Sequence, residues 1–203
     1  MAQAPPTRPS LLVRIRDAAD HRAWSQFAGV YAPLIYGYAR RRGLQDHDAA
    51  DLTQDVLARV ARAVRAWEYD PRRGTFRGWL FTVVRRELLD FQAGRDRQPQ
   101  ATGDTGVLAY LSQQPAPDDG ADAAWEHAYE QQLFAWAAAE VRPRVEPHTW
   151  AAFWRTAVEA TDTKTVAADL GITVAAVRLA KSRVMAQIRK QIAHLELEPT
   201  GGS

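Results

Sequence analysis

Positive charge is concentrated near the C-terminal end of this 203-residue sequence. Residues 164–190 carry six bases and one acid, although the formal net charge of the whole chain is only +2. The bases are Lys164, Arg178, Lys181, Arg183, Arg189 and Lys190, and the acid is Asp169. Ammonium and guanidinium groups placed together in this way bind phosphates, so the segment indicates contact with nucleic acid. A solvated helix whose outer face is basic is the alternative.

The same segment has the residue pattern of a helix-turn-helix. In TKTVAADLGITVAAVRLAKSRV, Gly171 suits the left-handed end of one helix, Ile172 the corner, and Thr173 the N-cap of the next helix. The predicted buried positions are Val166, Ala167, Leu170, Val177, Val184 and Ile188, and the outward positions are Arg178, Lys181, Ser182 and Arg183. A second helix of this kind suits the major groove of DNA. An antiparallel helix hairpin is the alternative.

Two earlier segments also have unbalanced charge. The first is an acidic block without Lys or Arg, formed by Asp46, Asp48, Asp51 and Asp55. Such a block favours a basic partner surface; a solvated helix start, or a metal site of His47, Asp48 and Asp51, is the alternative. The second segment interleaves aromatic side chains with bases, namely Phe76, Trp79 and Phe81 with Arg77, Arg85 and Arg86. That combination is typical of proteins that bind single-stranded nucleic acid.

Helices must position all of these residues, because apolar side chains recur every three or four positions. One helix is predicted to run from Asp20 to Gly43, with Pro33 either kinking it or starting a second helix. Asp48 is predicted to cap the next helix and Thr75 the one after it. In the second half, the predicted helices are 124–141, 147–160, 163–170 and 174–194.

The segment 96–122 separates these helices into two groups. It is rich in Gln, Pro, Gly, Asp and Ser, which is the composition of a flexible linker. We therefore expect an all-α protein of two small helical domains, 10–95 and 123–195, joined by this linker. The helix-turn-helix lies in the second domain.

The composition excludes several functional classes. The chain has no Cys, which excludes disulfides and thiolate metal sites. Its five His are scattered, and it has neither a phosphate-binding Gly-rich loop nor a carboxylate pair at catalytic spacing. We therefore expect no enzymatic activity, no cofactor and no metal. Without an apolar N-terminal signal or a run near ~18 apolar residues, we expect a cytoplasmic protein that does not enter a membrane.

Three blocks in this order resemble the extracytoplasmic-function (ECF) group of bacterial sigma factors. DAADLTQDVLARVARA, residues 48–63, resembles the family helix that docks on the clamp coiled coil of the polymerase β′ subunit. GTFRGWLFTVVRRELLDF, residues 74–91, is similar to the helix that reads and opens the −10 element. The helix-turn-helix resembles the domain that reads the −35 element. The resemblance implies RNA polymerase core, including its β′ clamp and β flap, and promoter DNA as partners.

The resemblance also implies which residues make each contact. Polymerase docking is assigned to Asp48, Asp51, Leu52, Gln54, Asp55 and Val56. The −10 contact is assigned to Arg77, Phe81, Thr82, Arg85 and Arg86, with Trp79 expected mostly in the core. The −35 contact is assigned to Thr173, Ala175, Arg178, Lys181, Ser182 and Arg183. The family frequently has Asn at the position of Arg86, which leaves the −10 base preference open.

A stand-alone helix-turn-helix transcriptional regulator is the competing hypothesis. Such a protein would more often have a ligand pocket or a dimer seam, and the sequence indicates neither. An acidic helix and an Arg-rich aromatic helix, both preceding a linker, favour the sigma factor. Members of the ECF group are commonly held by an anti-sigma factor, and nothing in this sequence identifies one.

Overall fold

The computed structural model describes residues 11–65, 75–94 and 121–195. All regular elements within these ranges are helices, and the prediction of an all-α fold is confirmed. The α-helices are α1 (Leu11–Arg14), α2 (His21–Arg41), α3 (Asp46–Ala63), α4 (Phe76–Gly94), α5 (Ala121–Val141), α6 (Pro147–Ala157), α7 (Thr163–Leu170) and α8 (Val174–Leu195), with a 3-10 turn at Arg142–Arg144 between α5 and α6.

The chain divides into two compact units. Unit 1 comprises residues 1–132 and 197–203, and unit 2 comprises residues 133–196. The division falls inside α5, later than the predicted start of the second domain at residue 123. Most of the predicted linker 96–122 lies outside the described residues, so its flexibility stays a prediction.

Unit 1 is organised around the long helix α2. Asp20 is its N-cap, and the Asp20 carboxylate accepts a hydrogen bond of 2.8 Å from the Ala23 N–H. Arg14 binds the same carboxylate at 2.9 Å, which ties the N-terminal turn to α2. The helix continues through Pro33, so the alternative of a new helix starting there is wrong. The buried side chains around Pro33, among them Val30 and Leu34, offset the hydrogen bond that proline removes.

Helix α3 starts within the acidic block, three residues earlier than predicted. Gln45 precedes the helix and makes no side-chain cap, while Asp48 lies within the first turn and is 8% exposed. The prediction of Asp48 as N-cap is therefore wrong. The reason is the anchoring of Asp46, which accepts a hydrogen bond from the Tyr36 hydroxyl at 3.1 Å and lies 2.9 Å from Arg40 Nε.

Unit 2 packs α6, α7 and α8 with the second half of α5. One core cluster joins Ala137 and Val141 of α5 to Phe153, Val184 and Ile188. A second cluster fills the helix-turn-helix and contains Ala152, Val166, Ala167, Val177 and Ala180. Helix α6 ends at Ala157 rather than at the predicted residue 160, because Ala160 has a positive φ of 54°. The predicted bounds of α7 are confirmed, and those of α8 differ by one residue.

Candidate nucleic-acid interface

The helix-turn-helix has the capping geometry that the sequence predicts. Asp162 begins α7 by accepting hydrogen bonds from the N–H groups of Lys164 at 2.9 Å and Thr165 at 3.3 Å. Gly171 ends α7 in the left-handed region, with φ 65° and ψ 30°. Thr173 Oγ1 accepts a 3.1 Å hydrogen bond from the Ala176 N–H at the start of α8. These contacts fix the turn, so the orientation of the second helix depends on local chemistry.

Helix α8 presents a basic surface without an acidic residue between positions 174 and 195. All six residues assigned to the −35 contact are exposed: Thr173, Ala175, Arg178, Lys181, Ser182 and Arg183. The one acid of the segment, Asp169 on α7, is bound by Arg155 at 2.5 Å. Because Arg155 already compensates Asp169, the field of the α8 bases is left largely uncancelled.

Lys181 makes a contact within unit 2 that the sequence did not show. Its Nζ donates to the carbonyl oxygen of Thr156 at 3.4 Å, near the C-terminal end of α6. A cation at a helix C-terminus is favoured by the helix dipole. Lys181 therefore links α8 to α6 while its side chain stays exposed. The two residues are 25 positions apart in the sequence, so no local sequence pattern could reveal their contact.

In the predicted −10 helix α4, the N-cap is as predicted, but the burial of two aromatic side chains is not. Thr75 Oγ1 accepts a 3.1 Å hydrogen bond from the Gly78 N–H, which confirms the predicted cap. Phe81, assigned to the DNA face, is only 5% exposed, so its ring is not available to DNA in the free chain. Its ring lies 5.5 Å from that of Tyr38 on α2 and 5.2 Å from that of Trp125 on α5. Conversely, Trp79 was expected mostly in the core and is only partly buried.

Arg77 is also held by unit 1 itself. Its Nε lies 3.3 Å from a Glu126 carboxylate oxygen, and its guanidinium stands 4.7 Å from the centre of the Tyr129 ring. The side chain is 29% exposed, so it cannot extend to DNA without leaving these contacts. The first half of α5 therefore covers this part of α4. The spacing of Trp125 and Tyr129, four residues apart, was the available signal for that face.

The remaining −10 candidates lie further along α4. Thr82 is partly exposed, and its hydroxyl donates to the Gly78 carbonyl at 3.0 Å. Arg86 is exposed and lies 3.7 Å from Asp90, one turn later. Arg85 is partly exposed. The structure thus leaves Thr82, Arg85 and Arg86 at the accessible side of α4.

The acidic face of α3 is smaller than predicted. Asp51, Gln54 and Asp55 are exposed, whereas Leu52 is 3% exposed and Val56 is completely buried. The assignment of Leu52 and Val56 to the docking surface is therefore wrong, since both belong to the core of unit 1. Their places are set by the helix period, which puts Leu52, Val56 and Val60 on one buried stripe.

Asp48 also turns inward. One carboxylate oxygen of Asp48 lies 2.9 Å from Nε2 of His47, and Asp48 is only 8% exposed, so it adds little to the exposed acidic face. Within the described residues, no group of three or more His, Asp or Glu side chains is placed to hold a metal ion. The alternative metal site of His47, Asp48 and Asp51 is therefore not formed there.

Comparison with known proteins matches residues 28–98 to the family Sigma-70 region 2. The chain is 32% identical over 91 residues to the ECF RNA polymerase sigma factor RpoE of Cereibacter sphaeroides. It is 35% identical over 92 residues to the ECF RNA polymerase sigma factor SigE of Mycolicibacterium smegmatis. The chain thus contains a segment similar to Sigma-70 region 2 and to part of two ECF sigma factors. Each alignment covers 45% of this chain, and the chain spans only 49% of RpoE and 34% of SigE.

The family match covers most of α2 and all of α3 and α4. The exposed acids of α3 and the accessible side of α4 therefore lie within the residues that match Sigma-70 region 2. The helix-turn-helix lies outside the matched residues. A looser similarity, with a TM-score of 0.34 and 19% identity, covers 91% of this chain and 96% of CnrH in the structure of its complex with the cytosolic domain of CnrY. Among the described residues, no helix has the length and apolarity of a membrane span.

Proposed function

We propose that this chain binds RNA polymerase core, directs it to promoter DNA and helps to open the DNA for transcription initiation. The observation that carries the proposal is the position of the region 2 match, which includes both the acidic face of α3 and the accessible side of α4. Two different contact surfaces within one small unit suit a protein that joins polymerase to DNA. RNA synthesis itself would be left to the core enzyme, in the cytoplasm where it acts.

Docking is assigned to the exposed residues Asp51, Gln54 and Asp55 of α3. The two carboxylates lie four residues apart and so share one helix face. Their field would steer a basic surface toward this face and lower the chance of a wrong orientation. The partner surface in this proposal is the clamp coiled coil of β′.

Promoter contact is divided between α4 and α8. Thr82 and Arg86, four residues apart, would face the separated −10 strand, with Arg85 on a flanking phosphate. The exposed bases of α8, chiefly Arg178, would contact the −35 element. Unstacked bases cost a few kcal/mol each to hold outside the duplex. Binding to polymerase would present both helices at a fixed spacing and so raise their effective concentrations at the promoter.

Reversal of the two exposed acids tests the docking assignment. The double change Asp51→Lys and Asp55→Lys should weaken binding to core polymerase, chiefly by slowing association, and most strongly at low salt. Stopped-flow fluorescence with a labelled chain measures this rate over a range of salt concentrations.

The matched control reverses two exposed acids elsewhere, with Glu130→Lys and Glu159→Lys. It makes the same change in net charge and should bind core like the parent. If the α3 variant keeps the parent's affinity at low salt, with unchanged circular dichroism, the docking assignment is wrong. Tight sequence-specific binding of the chain alone to duplex DNA would instead favour a stand-alone regulator.

A further inference from the structure

Helices α3 and α4 meet along an apolar seam. The two helices pack against each other, and both have buried apolar residues, among them Leu52, Val56 and Val60 of α3 and Val84 and Leu88 of α4. Apolar burial is strong but has no preferred direction. It holds the two helices together without by itself fixing how the charged residues on either side of the seam line up. A directional contact is needed for that.

Arg59 and Glu87 form such a contact across the seam. Arg59 Nε lies 2.8 Å from Glu87 Oε1. The Glu87 side chain is 11% exposed, whereas that of Arg59 is 42% exposed. On α3, Arg59 follows the exposed Asp55 by one turn, and on α4, Glu87 is the neighbour of Arg86. The pair therefore lies between the acidic face of α3 and the accessible side of α4.

The burial of Glu87 disfavours its ionised form. Burial is the largest influence on this carboxyl and raises its pKa above the usual value. The guanidinium of Arg59 opposes that rise, Asp90 and then Asp55 add to it, and Arg86 opposes it. Because the net direction is upward, the ionised carboxylate is less favoured in the folded chain than in the unfolded chain. Because a buried ion pair is weak evidence for stability, the geometry that the Arg59–Glu87 pair fixes between the two helices is its better explanation.

We propose that Glu87 is a positioning residue that holds Arg59 across the seam and keeps the acids of α3 in register with the DNA-facing side of α4. The inference rests on the proposed function. With the pair in place, docking of α3 on polymerase fixes where Thr82 and Arg86 meet the promoter strand. Without it, both surfaces persist and each still binds, but their relative placement is loosened.

Two substitutions of Glu87 separate geometry from stability. In Glu87→Met, the new side chain is similar in volume to glutamate but has neither the negative charge nor the hydrogen-bond acceptor. Arg59 can still reach water. We expect this variant to melt at or above the parent's Tm and to bind core with the parent's Kd. It should nevertheless open duplex promoter DNA about tenfold more slowly, since small misplacements in a contact geometry carry large rate penalties. Glu87→Gln keeps an acceptor for Arg59 and should retain most of the opening rate.

The pH dependence of stability gives a second readout. Since the pKa of Glu87 is raised in the folded chain, the parent should lose stability as the pH rises from the usual Glu range through the raised value. Glu87→Met should lack that loss. Denaturant unfolding at a series of pH values measures it.

The decisive comparison is permanganate-detected opening at saturating core polymerase, on a promoter found by mapping the 5′ ends of transcripts that depend on this chain. Glu140→Gln is the control, because it removes the same charge from the exposed pair with Arg144 in unit 2. Equal opening rates for Glu87→Met and the parent would overturn the inference. So would a lower Tm with weaker core binding, which would make the pair merely structural. If the parent itself fails to bind core, the proposed function fails instead.

Discussion

The two helices assigned to DNA differ in how much of their surface the rest of the chain covers. On α8, every assigned side chain is exposed, and the buried residues Val177, Val184 and Ile188 all lie on the opposite stripe. On α4, by contrast, Phe81 is packed between α2 and α5, and Arg77 is bound by Glu126 and Tyr129. Both helices contribute to a core, but only on α8 do all the residues assigned to DNA lie on the exposed side.

This difference shows what determines the face of each helix. The turn before α8 is fixed by the nearby groups Gly171 and Thr173, so its outward side follows from local sequence. The side of α4 that stays accessible is decided by Tyr38 and Trp125, which lie far away in the chain. An aromatic side chain between two arginines was therefore an ambiguous signal for DNA binding.

The largest effect is expected for Phe81→Ala. Truncation of a buried aromatic ring commonly costs about 3–5 kcal/mol of stability, through lost burial and the cavity that remains. Denaturant unfolding followed by circular dichroism measures this loss. If the variant is as stable as the parent but no longer binds the −10 strand, Phe81 contacts DNA and is not a core residue. The difference between α4 and α8 would then not hold.

A smaller effect, on binding instead of folding, is expected for Arg178→Ala. If Arg178 reads a base edge, its loss should cost about 1–3 kcal/mol of discrimination at one −35 position. If it contacts only phosphate, the variant should weaken binding to all −35 sequences alike and reduce the salt dependence. Competition among promoter variants, bound by the polymerase assembled with this chain, distinguishes these results.

The Tm of the Arg178→Ala variant should stay close to the parent's, because the side chain is exposed. Wild-type binding to every −35 sequence, with full transcription, would remove Arg178 from the interface.

The helix-turn-helix and the region 2 helices were not equally predictable from the sequence. The bounds of α7, the left-handed Gly171 and the cap at Thr173 all follow from neighbouring residues, and the structure confirms them. The start of α3 was misjudged because Tyr36 and Arg40, from the preceding helix, anchor Asp46. Arg59 with Glu87 and Lys181 with Thr156 were missed for a similar reason: each pair joins two helices.

The smallest effect comes from a matched pair of glycine substitutions. Gly171→Ala should destabilise unit 2 by about 1 kcal/mol, since an L-residue is strained in the left-handed region even though its Cβ would meet nothing within 4 Å. Gly78→Ala lies inside α4, where a Cβ would meet Thr75 Oγ1 at 3.5 Å, an ordinary contact.

The Gly78→Ala variant should be more stable than the parent by roughly 0.5–1 kcal/mol, because alanine is favoured over glycine inside a helix. Thermal unfolding monitored by circular dichroism measures both changes. If the two substitutions shift the Tm in the same direction, the turn before α8 does not depend on the left-handed conformation of Gly171.

The central claim is that this chain gives core polymerase the ability to select and open promoters. Its most direct test is to map the 5′ ends of transcripts that core polymerase makes on genomic DNA of the source organism, with and without the chain. The account predicts discrete chain-dependent 5′ ends whose upstream DNA shares two motifs at the −10 and −35 spacing. It also predicts that these ends disappear with Asp51→Lys and Asp55→Lys. The same 5′ ends with and without the chain, from an active core enzyme, would contradict it.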